Sequence, residues 1–285
     1  MLIAGAFALS RGSQADITVE FLIENGLTVS GADGLEVHIR ESMDLITRGT
    51  KFESRYVINE IPKPDEIAVI VFLGPKTQEV PNAPGLVKTL ANNCAAVGKR
   101  YIFCDAWFLQ RFLDKRKIAR SPDGLFPDPR ASHIRSLVTW VLAHELGHLI
   151  FGHSSDGNPH SFEASESVME FSHRREFEAD KFVAAVLEQD DTLEYEMMCL
   201  FGDIVRQEIA YSVVGAYPSL PFESYPSPTF GYSGIVEYAN SKSHPHFILR
   251  LTRLVEMVGN FDKPGNDQIL IEIQPLIENL RDIGK

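Results

Sequence analysis

The sequence predicts an α+β protein in which helices pack on a small mixed sheet. Two observations point to the strands. Ile67-Ala68-Val69-Ile70-Val71-Phe72-Leu73 is a near-continuous apolar run of strand length, closed by Gly74-Pro75. Arg100-Tyr101-Ile102-Phe103-Cys104 repeats that pattern after Gly98. A third observation points to the helices: residues 129–151, 173–187 and 191–214 each carry apolar side chains at helical spacing.

Taken in order, residues 1–60 mix short helical and strand signals, with turns expected at Asn25-Gly26 and Asp33-Gly34. The two apolar runs follow, and the first hundred residues are expected to add to one sheet. Trp107–Leu113 reads as a helix used for core packing. Asp128-Pro129 is a helix start, with Pro129 at the first helical position. Ile134, Leu137, Val138, Val141, Leu142, Leu146, Leu149 and Ile150 then recur at helical period, and Gly152 stops the helix. Ser154–Ser172 is polar and reads as a link, either a lid or a surface loop. A helix is expected from His173. Another begins at Asp191, capped together with Glu194, and carries an apolar stripe through Met197, Leu200, Phe201 and Ile204. Gly215–Gly234 is rich in proline and aromatics and reads as a flap over a cleft, with partner docking as the rival use. A last helix starts at His244-Pro245 and closes at Gly259.

The helix over 129–151 contains His144-Glu145-Leu146-Gly147-His148. Positions four apart on a helix lie on one face, so both imidazoles can close on one ion. Glu145 projects about 100° away, within reach of a water beside that ion. Polar groups on an apolar face are costly to bury without a partner, and a metal supplies one. A third ligand is expected on the next helix, in His173-Arg174-Arg175-Glu176-Phe177-Glu178-Ala179-Asp180. Glu176 and Asp180 share a face. Glu176 fits as the metal ligand, and Asp180 as the group that holds a ligand imidazole in one tautomer. Glu178 points elsewhere and is expected to pair with Arg174 or Arg175. His153 reads as a group at the helix C-terminus, where a cationic imidazole suits the dipole. The metzincin pattern does not fit, because Gly152 and His153 are both out of place for it.

HELGHLIFGH followed by RREFEAD is the gluzincin pattern and resembles the M48 peptidase family. The same motifs also resemble the M78 (ImmA/IrrE-like) and U49 peptidases. Ser243-His244-Pro245-His246, then Arg250 and Arg253-Leu254, is similar to a late segment of the M48 family. The resemblance covers roughly residues 129–189 and 241–256. It implies a zincin-like core, one Zn²⁺ per chain held by His144, His148 and Glu176, and hydrolysis of peptide bonds in a protein or peptide substrate. Residues 101–285 would then form the catalytic region, with 1–100 contributing strands to its sheet. Glu145 would be the base, Asp180 would orient a histidine, and His244 would face the metal as a further ligand or an oxyanion donor. A strand beside the metal helix would hold substrate backbone; 101–105 is the candidate, with a buried structural strand as the equal alternative. Many M48 members span membranes, whereas no apolar stretch here reaches the roughly 18 residues a span needs. A different class of function is a zinc-holding sensor that cleaves nothing, although such a scaffold has no use for Glu145.

With 285 residues, 44% of them hydrophobic, the chain has ample material for a core. A net charge of −12 argues against a broad nucleic-acid surface. The one short basic run, Lys115 to Arg120, reads as a solvated helix end. Cys94, Cys104 and Cys199 are odd in number and lack a C-x-x-C, so they read as buried thiols in a reducing compartment. Met1–Leu9 lacks a cationic leader and is short for a secretion signal. A cytoplasmic location is therefore expected.

Overall fold

A computed structural model of the chain describes residues 13–29, 35–91, 93–109, 129–153 and 166–201, together with 250, 254, 255, 257 and 258. Helix α1 (Gln14–Glu24) opens on a reciprocal cap, in which Ser13 and Asp16 each accept the other's backbone N–H. It ends at Asn25, and Gly26 takes a φ of 62° in the turn that Asn25-Gly26 predicts. Helix α2 (Leu35–Ile46) leads to strand β1 (Tyr56–Ile58), then strand β2 (Ile67–Phe72). Two short helices, α3 (Gly74–Glu79) and α4 (Gly85–Leu90), precede strands β3 (Cys94–Val97) and β4 (Tyr101–Asp105). The long helices are α5 (Pro129–Phe151) and α6 (Glu166–Leu187). Residues 106–109 and 191–201 are also helical.

The four strands form one mixed sheet in the order β1-β2-β4-β3. β1, β2 and β4 are parallel, while β3 runs antiparallel to β4 at the edge, with Ala96 opposite Ile102. Residues on both sides of position 100 thus share the sheet. β4 is hydrogen-bonded on both sides, so it has no free backbone to offer a substrate. Of the two readings of 101–105, the structure shows the buried structural strand and not the substrate strand; the edges of the sheet are β1 and β3.

β2 is apolar throughout because both faces of the sheet are covered. Ile67, Val69 and Val71 join a core with Met43 of α2, Leu142 and Leu146 of α5, and Val183 and Leu187 of α6. Ala68, Ile70 and Phe72 join a second core with Val19 and Leu22 of α1 and Val87 of α4. A buried hydroxyl pair, Ser42 and Thr139 at 2.8 Å, ties α2 to α5 inside the first core.

Three further expectations change. α6 begins at Glu166, so the linking segment is shorter than Ser154–Ser172 suggests. The helix after α6 is capped by Asp190, whose carboxylate accepts the N–H groups of Thr192 and Leu193, and not by Asp191. Cys94 and Cys104 are joined as a disulfide, and Cys199 stands outside it as a thiol. The Asp105 N–H donates to the Asn93 carbonyl, so the cysteines stand opposite each other across the β3–β4 pair, Cα atoms 4.1 Å apart. Cys94 and Cys104 are therefore not the buried free thiols of a reducing compartment that the sequence predicts. No described helix is long and apolar enough to cross a membrane.

Candidate metal centre

His144 and His148 lie one turn apart on α5, and their Nε2 atoms are 3.0 Å from each other. From α6, Glu176 brings Oε2 to 3.2 Å from His144 Nε2 and Oε1 to 3.5 Å from His148 Nε2. One donor atom from each of the three lies within 4.8 Å of the others, a grouping that can hold a metal ion.

The meeting of the two helices has a local cause. A Cβ on Gly147 would sit 3.0 Å from both the Cα and the carbonyl oxygen of Ala179. Glycine on α5 facing alanine on α6 lets the backbones approach closely. Glu176 and Asp180, on the same stretch of α6, then reach the imidazoles. Asp180 is buried and its Oδ1 is 3.0 Å from His144 Nδ1. A carboxylate there accepts a hydrogen bond from Nδ1–H and so leaves the Nε2 lone pair for a cation.

Glu145 is buried between α5 and the sheet edge, where its Oε2 accepts the Ala96 N–H of β3 at 2.7 Å. Burial pushes its pKa up, and the two imidazoles and the Ala96 N–H only partly reverse that. A carboxyl raised toward neutrality is suited to taking and returning a proton. Nothing in the side-chain pattern of Cys94–Val97 announces the Ala96 contact, because the donor is backbone.

Arg250 is the site residue the motifs did not single out, except as part of the late Ser243-His244-Pro245-His246 segment. Its Nε and Nη2 grip both oxygens of Asp180 at 3.0 and 2.9 Å. Nη1 lies 3.0 Å from Glu176 Oε2, and the guanidinium rests against the His144 ring. Despite burial, the Arg250 charge and the imidazole hydrogen bonds hold Glu176 well below the usual carboxylate range. Burial also raises Asp180, but Arg250 and His144 bring it down. Three buried carboxylates, Glu145, Glu176 and Asp180, thus face the Arg250 guanidinium. With all three ionised and both imidazoles neutral, as metal binding requires, two negative charges remain, which a dication would balance. The donor set fits such an ion.

His153 is not part of the ligand set. Its Nε2 pairs with Glu178 Oε2 at 2.9 Å, and Glu178 also accepts from Arg174 at 3.1 Å. The chain turns at Gly152, φ 70°, as the helix stop requires. His244, the basic run from Lys115 and the aromatic segment Gly215–Gly234 lie outside the described residues.

No protein-family model matches this chain, and searches of curated proteins and of solved structures return no match.

Proposed function

We propose that this chain is a zinc-dependent endopeptidase of gluzincin type, similar to the M48 peptidases. One observation carries the reading. Two imidazoles and a carboxylate converge from two helices, and a second carboxylate, Glu145, sits between them and the edge strand β3. Two histidines and a glutamate are a donor set of catalytic zinc, which leaves a position for water or substrate. His144, His148 and Glu176 would hold the ion, with Asp180 fixing the His144 tautomer. When bound, zinc supplies an acidified water and a polarised carbonyl. Glu145 takes the proton from the water and delivers it to the leaving amine. The β3 edge receives an extended substrate backbone beside Glu145, because among the described residues β3 pairs with β4 alone.

Arg250 favours a second reading. A buried guanidinium across Glu176, Asp180 and His144 is also what a closed, non-catalytic zinc sensor would use to keep its ligands in place.

Glu145→Gln separates the two. The variant should bind zinc as the parent does and lose at least about a hundredfold in turnover, the scale of a lost general base. Metal analysis and cleavage mapping in cell extract, parent against variant, measure both. Cleavage that survives the substitution removes Glu145 as the base. A parent that loads zinc and cleaves nothing in that extract supports the sensor.

A further inference from the structure

The chain carries a net charge of −12, yet four cationic side chains gather around one cavity. It has a volume of about 480 Å³ and is lined by Lys51, Phe52, Arg55, Pro64, Asp65, Lys99 and Arg100. Lys51 and Arg55 come from the α2–β1 connection, and Lys99 and Arg100 from the β3–β4 turn. Asp65 is the acidic residue among the seven, and it lies 3.7 Å from Arg55. Within the lining itself, cationic side chains outnumber acidic ones by four to one. Arg100 is held in place: its Nη1 donates to the carbonyls of Pro62 and Lys63 at 3.0 and 2.7 Å. Lys51 lies over the buried Phe52 ring, 4.8 Å from its centroid. Neither cation is used by the metal centre.

The place of this cavity gives it a use. Ala96, whose N–H meets Glu145, is on β3, and Gly98 begins the turn that carries Lys99 and Arg100. A strand rises about 3.3 Å per residue, so the basic rim lies within about 10 Å of the Glu145 contact along the chain. Phe52 belongs to the same core as α5, on the metal-bearing face of the sheet. We infer that this cavity is an anchoring site for an acidic segment of a polypeptide substrate, engaged by a chain that leaves the β3 edge at its Gly98 end. The inference rests on the peptidase reading for its substrate but not for its binding. A volume of this size seats side chains, and a lining of four cationic side chains and one acidic one selects carboxylates over amides.

The test uses the full-length protein and a fluorescein-labelled peptide of about twelve residues carrying four adjacent glutamates, with the glutamine counterpart as control. Anisotropy should show the glutamate peptide bound and the glutamine peptide not. Lys51→Glu with Lys99→Glu should weaken binding about tenfold, as should raising salt from about 50 to 300 mM. Both lysines are exposed, and the milder pair Lys51→Gln with Lys99→Gln should give a smaller loss in the same direction. Equal binding of the two peptides, or no change on charge reversal, overturns the inference. So does pyrophosphate binding at the lysines while the glutamate peptide does not, which would make the site one for a small anion. Binding is read with and without zinc. Cleavage of peptides with no glutamate preference sinks the anchoring site alone, and lysine-dependent binding with no cleavage of any peptide sinks the peptidase reading alone.

Discussion

Gly147 shows how much of the site rests on a missing side chain. In an exposed helix interior, glycine to alanine gains about 1 kcal/mol. Here the added methyl would meet the Ala179 backbone at 3.0 Å, and backbone cannot swing away as a side-chain tip can. Overpacking of that kind costs about 1–3 kcal/mol, so the steric cost outweighs the helix gain. Gly147→Ala should be less stable than the parent by roughly 1 kcal/mol on balance. Pushing α6 back also pulls Glu176 and Asp180 away from the imidazoles, and metal affinity should fall on the order of tenfold, as it does when ligand orientation is lost. Urea denaturation and a zinc titration measure the two effects. A variant more stable than the parent, with unchanged affinity, would show that the helices do not meet there.

Among the elements, β3 is short and only partly buried, yet it presents the Ala96 N–H to Glu145. The Cys94–Cys104 disulfide fastens it to β4 across a separation of ten residues. Closing a loop of that size is worth about 2.5–3 kcal/mol in the chain-entropy account. Reduction, or Cys94→Ala with Cys104→Ala, should lower unfolding stability by about that amount. If the chain is the zinc peptidase proposed above, the same change should also slow turnover more than it lowers zinc content, because Glu145 loses a fixed partner while His144, His148 and Glu176 stay on α5 and α6. Thiol titration of the denatured, unreduced chain should find Cys199 alone; three reactive thiols would refute the bond. This pairing was not legible in the sequence, since no spacing motif marks it and register is set by the folded sheet. β1 and β3 were equally hard to read, being short and without a clean burial alternation. β2 and β4 were legible because a strand covered on both faces must be apolar throughout, and α5 because its apolar residues keep the helical period from Ile134 to Ile150. The same periodicity made the two histidines and the Glu176/Asp180 pair readable as shared faces. Arg250 was not readable in this way: it reaches Asp180 from seventy residues away, and only folding brings them together.

Across the whole molecule, the site links folding, metal loading and pH. In the metal-free chain, burial and Arg250 push the His144 pKa down, but Asp180 and Glu176 outweigh them and raise it from 6.5 to about 9. A raised folded value means that the proton on His144 stabilises the metal-free fold fully below pH 6.5, and that this contribution is lost as pH rises through about 9. Glu176 and Asp180 have lowered folded values, so their contribution is full above the ordinary carboxylate range and is lost as pH falls below that range toward the lowered values. Holding a metal needs the Nε2 lone pair of His144, which the proton otherwise occupies. Loading below about pH 9 therefore releases that proton, and a loaded chain gains nothing from it. The melting temperature in chelator should fall between pH 6.5 and pH 9. In zinc it should not fall with it, so the stabilisation by metal widens as pH rises. Melts with chelator and with zinc, across matched buffers, read the two curves directly. If the gap between them stays constant over that range, the cation and the proton do not compete for His144, and the ion is held elsewhere.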